Sequence, residues 1–307
     1  MTFTVFTATF NRAHLLGRVY SSLCRQTMKD FEWLIIDDGS TDGTESHERM
    51  WQQEQRIDIR YWHQPNLGRH RAFNRAIQIA RGDLFALLDS DDAIVANALE
   101  RLLAHWHSIP EPDRSGFSGV TCLCTDQTGK LVGCPFPADR LDCRHFEAAT
   151  HFGARGEKWG FHRTSVIRRF PFPEIAGEKF CAEGLVWNRI GRHYLMRHVN
   201  EQLKIYFTHD GSLTSNVNAI RVHSPNYARL YYREYLDLEL PLHDHVKAAV
   251  NYVRFSVHAG LTHSKTVRES GHSKLVRMVY PIGLLVAKRD KRQDRPVCAA
   301  HGDCSTA

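Results

Sequence analysis

Along the N-terminal part of the chain the apolar positions switch repeatedly between a strand period and a helix period. Thr2 to Ala8 (TFTVFTA) is β-branched and aromatic and predicts a strand, after which Leu15, Leu16, Val19 and Leu23 recur at helical spacing. Phe31 to Ile36 predicts a second strand and Ile57 to Trp62 a third. Between these two, Asp42 with Glu45 three residues on predicts a capping box opening a helix that runs through Met50. Ala72, Ala76, Ile79 and Ala80 line one face of a further helix. Leu84 to Leu88, a short apolar run behind Gly82, predicts a buried strand. Strand and helix in regular alternation predict an α/β fold, a mostly parallel sheet covered by helices.

Beyond Ser115 the pattern loosens. Gly119 to Cys124 and Lys130 to Gly133 predict short strands among loops rich in Pro and Gly. Leu185, Val186, Arg189 and Ile190 suit a helix, and Pro225 to Leu240 reads as an amphipathic one. Leu275 to Val286 is apolar with the basic cluster Lys288 to Arg292 behind it, and Pro281 is expected to break it. Burial against the sheet and contact with an anionic membrane surface are its two candidate uses.

Composition changes this picture little. At 307 residues, 42% hydrophobic and 24% charged, the chain buries a full core and is not disordered. The net charge of +6 is mild. It is compatible with an anionic ligand or surface without requiring either. No apolar run is long enough to span a bilayer, and strand-like residues begin at once where a leader peptide would stand, so a cytoplasmic location is expected, with peripheral contact at the inner membrane face as an addition. The 8 cysteines are too few for a disulfide scaffold in so long a chain. Cys122, Cys124, Cys134 and Cys143 lack paired C-x-x-C spacing, and Cys298, His301 and Cys304 lie in a polar tail, so reduced thiols are expected.

The candidate chemistry is acidic. Asp89, Asp91 and Asp92 follow the Leu84 strand directly, at the carboxyl end where open α/β sheets bind ligands. Carboxylates so close repel one another unless a proton or cation intervenes, and a hard divalent ion meets that need. The alternative is a loop whose acids cap the next helix. Asp37 and Asp38 end the second strand in the same way. Neither G-x-G-x-x-G nor a P-loop is present, so phosphate has no glycine cradle. Acids can instead accept hydrogen bonds from a base or from ribose hydroxyls, or hold a metal that grips phosphate. Arg69, His70 and Arg71, after Asn66-Leu67-Gly68, either reach the same ligand or solvate a helix start. Trp159, in Gly156-Glu157-Lys158-Trp159-Gly160-Phe161, is either a wall for a sugar or a core anchor.

The stretch TATFNRAHLLGRVYSSLCRQTMKDFEWLIIDDGSTDGT, followed by NLGRHRAFNRAIQIARGDLFALLDSDDA, strongly resembles the nucleotide-binding half of the family 2 glycosyltransferases. The resemblance implies a GT-A fold, a nucleoside-diphosphate sugar as donor (a UDP-sugar favoured), inversion at the anomeric carbon, and Mn2+ or Mg2+ as cofactor. With the residue reading, it implies donor contacts at Thr9, Phe10, Asn11, Arg12, Asp37, Asp38, Gly68, Arg71, Asp89 and Asp91, and metal ligands at Asp91, Asp92 and His209. Phe10 stands where many members have tyrosine. Glu183, near the start of the Leu185 helix, matches the family's catalytic base, with Glu178 in reserve if the register shifts; the acid that usually precedes the base is here Ala182. Lys158, Trp159, Gly160, Glu178 and Trp187 are the acceptor-side residues.

The expected organisation is a donor-binding half over 1–115, an acceptor and base half over 116–220, a helical extension over 221–290 and a flexible tail over 291–307. The expected activity is sugar transfer to a glycan or lipid-linked hydroxyl in surface polysaccharide synthesis, with no nucleic-acid partner. Two other readings stay open. Nucleotidyl transfer would need a phosphate-cradling loop where Thr7 to Arg12 is poor in glycine, and a catalytically weak sugar-nucleotide-binding partner is suggested by Ala182.

Overall fold

β-Branched and aromatic residues build strands close to where their spacing predicts them. The computed structural model describes residues 1–208 and 217–293, which divide into two units, Met1–Ser212 and Leu213–Ala307. The first unit contains strands β1 (Phe3–Thr9), β2 (Phe31–Asp37), β3 (Asp58–His63), β4 (Leu84–Leu87), β5 (Ala93–Ile94), β6 (Phe117–Asp126), β7 (Arg140–Cys143), β8 (Lys158–Arg163) and β9 (Leu195–Tyr206). Its helices are α1 (Ala13–Cys24), α2 (Thr44–Glu54), α3 (Arg69–Ile79), α4 (Ala98–His107), α5 (His145–Thr150), α6 (Thr164–Ile167) and α7 (Gly184–Gly191). The second unit is helical: α8 (Val217–His223), α9 (Pro225–Tyr235), α10 (Leu242–His258), α11 (His263–Glu269) and α12 (Ser273–Gln293).

The strands form one sheet in the order β3-β2-β1-β4-β8-β6-β9-β5, with β7 on β9. β1 to β4 are parallel, which turns the ends of β1, β2 and β4 toward the same edge. Successive side chains of β1 face opposite sides. Phe3 and Val5 join the core that includes Leu16 and Val19 of α1, while Phe6 meets Phe73 of α3 on the other side, ring centres 5.7 Å apart. Tyr20, Trp33 and Trp51 fill the space under α1 and α2, Tyr20 stacking on Trp51 at 4.7 Å.

Several local expectations change. Asp42 and Glu45 form no capping box: α2 starts at Thr44, Asp42 accepts from the Thr44 amide at 3.1 Å and the Ala13 amide at 3.0 Å, and Glu45 pairs instead with Arg49. Asp42 thereby serves two helix starts at once, which the local sequence could not show. Lys130 to Gly133 is not a strand and makes a single bridge, Leu131 with Thr125, because Gly129 and Gly133, both at positive φ, turn the chain away. Beyond β4 the sheet is mixed rather than parallel, since β8 runs antiparallel to both β4 and β6. α9 ends at Tyr235, short of Leu240. Pro281 does not break α12. It lies on the exposed side together with Arg277, so the hydrogen bond it removes falls toward solvent. The buried side of α12 is held by α10, where Val276, Val279 and Val253 share one core. A Cβ on Gly283 would approach Val253 to 2.6 Å.

Gly160 faces Thr121 across β8 and β6, and a Cβ there would overlap the Val120 carbonyl. Gly160→Ala should therefore cost about 3 kcal/mol, read as a lower urea midpoint at unchanged slope.

His162 and His198 are buried in the same sheet; His162 stacks on Trp187 at 4.5 Å and Nδ1 of His198 meets the Thr121 hydroxyl at 2.7 Å. Burial pushes both imidazoles down to about 3. Unfolded histidine takes a proton near 6.5, so below that pH the unfolded chain binds protons that the native one refuses. Stability should be constant from this source above pH 6.5 and fall as pH drops, by up to about 1.4 kcal/mol per pH unit for each imidazole. Denaturant midpoints from pH 7 to pH 5 check this, and His162→Gln should flatten the slope.

Candidate functional site

The site is assembled where β1, β2 and β4 end. Leu88 continues the β4 pairing through its amide on Phe6 (2.8 Å) and its carbonyl on the Thr7 hydroxyl (2.8 Å), and the acids follow at once. The two-residue strand β5 begins directly behind Asp92 and pairs antiparallel with β9, setting Ile94 opposite Lys204. That pairing brings Lys204 up beneath the acids. Its side chain is 2% exposed, and Nζ lies 2.8 Å from Asp92 Oδ2, 3.1 Å from Asp89 Oδ2 and 3.2 Å from Glu157 Oε1.

Every acid of the Asp89 to Asp92 cluster is paired with a cation of the chain. Arg69 at the start of α3 binds Asp89 and also Glu183 Oε1, the latter at 3.0 Å. Arg12 binds Asp91 at 3.0 Å and Ser90 at 3.3 Å. Asp92 has Lys204 on one oxygen and accepts from the Phe207 amide at 3.0 Å on the other. Burial would raise Asp89, but Arg69 and Lys204 together outweigh it and hold its carboxyl well below the usual range. At Asp92 burial wins, lifting it to about 6 against the pull of Lys204. Lys204, which burial alone would neutralise, is kept protonated by Asp89, Glu157 and Asp92. Glu183 is pushed up, chiefly by burial and with Asp89 adding to it, while Arg69 opposes.

A cavity of about 90 Å³ opens beside these groups, walled by Asp89, Glu157, Lys158, Trp159, Gly160, Glu183, Trp187 and Lys204 among others. The structure thus brings Glu183 and Asp89 together with Lys158, Trp159, Gly160 and Trp187. Trp159 serves both readings offered for it: it is 4% exposed and donates from Nε1 to the Leu87 carbonyl at 2.6 Å, yet it lines the cavity. Lys158 caps the Cys134 and Arg155 carbonyls at 3.2 and 2.9 Å. Glu178 is buried and does not line this cavity.

The remaining positions form the rim. Phe10 is 45% exposed. Asn11, at φ 52°, accepts from the Thr41 amide at 2.8 Å and donates its own amide to Ser40, so the turn after β1 is tied to the loop after β2. Thr9 is buried, and its carbonyl accepts from the Asp38 amide at 2.8 Å. Asp38 accepts from Gln64 at 2.8 Å, Leu67 N at 3.0 Å and Gly68 N at 2.8 Å, and so holds the loop leading into α3. Gly68 has φ 99°, and a Cβ there would strike the Lys179 carbonyl. Asp37 accepts from Ser40 N and the Tyr61 hydroxyl, at 2.8 and 2.6 Å. Arg71 turns away from the acids to Glu174, 3.5 Å distant, and it is Arg69 that reaches them. Of the basic stretch Arg69 to Arg71 it is Arg69 that joins the site, and Glu157 and Lys204 join it without having been singled out in the sequence. The available signal was a lysine inside an apolar strand segment, Leu203-Lys204-Ile205.

Among the described residues the acids do not stand as ligands around a divalent ion. Among the described residues no group of three His, Cys, Asp or Glu side chains converges as a ligand set, since the carboxylates turn to Lys204, Arg69 and Arg12. His209 lies outside the described residues.

Residues 4–113 match the model of Glycosyl transferase family 2. Validoxylamine A glucosyltransferase of Streptomyces hygroscopicus subsp. jinggangensis is 37% identical over 113 residues, covering 36% of this chain and 26% of that protein. The match spans from 16% to 63% of the length of eight curated relatives, and a third or less of five of them. Among solved structures, S. aureus TarS 1-349 in complex with UDP superposes with a TM-score of 0.60 at 16% identity, covering 99% of this chain and 95% of that one. A mannosyltransferase from Pyrobaculum calidifontis in complex with GDP-Man and Mn2+ gives 0.56 at 16% identity, covering 95% and 87%. These superpositions give the fold, a GT-A arrangement with a helical C-terminal region. Over residues 4–113 the chain is similar to glycosyl transferase family 2.

Proposed function

We propose that this chain transfers a sugar from a nucleoside-diphosphate sugar, a UDP-sugar foremost, to a hydroxyl of a glycan or glycolipid, with inversion at the anomeric carbon and Glu183 as general base. One observation carries the reading: Glu183 and Asp89, far apart in sequence, share the Arg69 guanidinium at the wall of one cavity. Inversion follows from a single displacement. The acceptor oxygen attacks the anomeric carbon, the bond from that carbon to the diphosphate oxygen breaks with its electron pair, and the hydroxyl proton passes to Glu183. Burial strengthens Glu183 as a proton acceptor, and Arg69 opposes that shift. Exposed Phe10 offers a flat face to the base of the donor. Trp187, Trp159 and Lys158 offer the acceptor an apolar wall with a cation beside it. The UDP of the TarS structure and the GDP-Man of the mannosyltransferase support a nucleoside-diphosphate donor. Mn2+ accompanies the second of these, whereas in this chain Lys204, Arg69 and Arg12 stand against the acids.

The acceptor is read as lipid-linked, in surface polysaccharide synthesis, with the second unit resting on an anionic membrane. Met278, Ile282 and Leu285 project from α12, 68%, 54% and 66% exposed, with exposed Lys274, Arg277, Lys288 and Arg289 beside them. No helix among the described residues is long and apolar enough to cross a membrane.

A thermal-shift screen of UDP-, GDP- and dTDP-sugars identifies the donor. With it, Glu183→Gln should bind the donor unchanged by calorimetry while transfer falls by about 10²- to 10⁴-fold; full turnover in that variant would refute the assignment of the base. The full chain should co-sediment with phosphatidylserine vesicles and not with neutral ones, and Met278→Ser/Ile282→Ser/Leu285→Ser should stay in the supernatant.

A further inference from the structure

We propose that Lys204 is the resident cation of the acid cluster and replaces a divalent ion there, so that the chain binds its donor diphosphate without metal. The second half of this statement rests on the donor reading above; the first half does not.

The geometry is that of an ammonium site. A lysine ammonium has three N–H donors and no acceptor; Lys204 donates to Asp89 at 3.1 Å and Glu157 at 3.2 Å and stands 2.8 Å from Oδ2 of Asp92 as an ion contact without hydrogen-bond geometry. Hard divalent ions draw oxygens to about 2.0–2.6 Å, and a larger ion completes its shell with six or more of them. Here the oxygens stand at hydrogen-bond length around a nitrogen that is almost wholly buried. The position is fixed by the backbone. Lys204 sits opposite Ile94 of β5 on one side and opposite Cys124 of β6 on the other, and β5 is joined directly to Asp92. Moving the ammonium out would leave Asp92, 0% exposed, without its countercharge.

The remaining cations complete the argument. With Lys204 beside the buried oxygens of Asp89 and Asp92, the more exposed guanidiniums of Arg69 and Arg12 hold the other oxygen of Asp89 and Oδ2 of Asp91. A guanidinium fork suits a diphosphate, and these forks stand on the open side of the acids, with side chains 42% and 27% exposed. Lys204 is thus a positioning residue, setting the charge of the acids under the donor without touching it.

The test is Mn2+ binding to the full chain without nucleotide, followed by electron paramagnetic resonance of the free ion. Wild type should show no stoichiometric site. Lys204→Met should gain one, at least about tenfold tighter than any residual binding to wild type, and Mn2+ should raise its melting temperature, because freed carboxylates need a new countercharge. Lys204→Arg, which keeps the charge, should remain blind to Mn2+. A stoichiometric Mn2+ site in wild type overturns the proposal. In case Lys204→Met does not fold, a second measurement decides: UDP or GDP should raise the wild-type melting temperature equally in EDTA and in Mn2+, and a shift that vanishes in EDTA overturns the metal-free role. If neither nucleotide shifts it in either buffer, the donor reading fails, while the Mn2+ titration still decides the place of Lys204.

Discussion

Carboxylates cannot be gathered at one sheet edge unless positive charge is gathered with them, and the first unit depends on how that is done. Asp89, Asp92 and Glu157 surround Lys204, and Asp89 and Glu183 share Arg69. Partial burial makes each of these pairings stronger than it would be in water, and it makes the loss of either partner costly. Lys204 comes from β9, Arg69 from α3, Glu157 from the approach to β8 and Glu183 from the start of α7. The charge network therefore ties the parallel half of the sheet to the mixed half, and a site of this kind forms only when both halves have folded.

The parallel half was legible because its signals are local. A strand buried on both faces is largely apolar, and a covering helix carries an apolar stripe, so β1, β2 and β4 with α1 and α3 appear in the residue pattern almost to their ends. The mixed half was less so. β5 is only two residues long and β7 only four, and strands this short owe their existence to their partner, β9, rather than to their own composition. Pro281 misled for the opposite reason. A local rule against proline in helices was overridden by the core that α12 shares with α10, where Val276, Val279 and Val253 are buried together.

The site divides along the same line. Asp89, Asp91 and Asp92 are visible in the sequence because acids behind an apolar strand are conspicuous, and Glu183 because a carboxylate at a helix start is. What the residue pattern could not supply was which cation each acid would meet. Arg69 and Arg71 are equivalent as sequence, two basic residues in the first turn of one helix. On α3 they point in different directions, one to Asp89 and the other to Glu174. Lys204 was hidden more deeply, since its significance depends on the register between β5 and β9. A shift of one residue would turn its side chain to the other face of the sheet.

The same register argument bears on how the acids read chemically. An acid cluster following a strand points to a metal only while its countercharge is unknown, because proximity of carboxylates sets a demand for positive charge without saying what meets it. Here β9 meets the demand from within the chain. Asp92 is the clearest case: its two oxygens are given to Lys204 and to the Phe207 amide, both supplied by the end of β9 and the residue just after it. The segment that closes the sheet at this edge is thus also the one that sets the charge of the site, and any change in the pairing of β5 with β9 would alter both together.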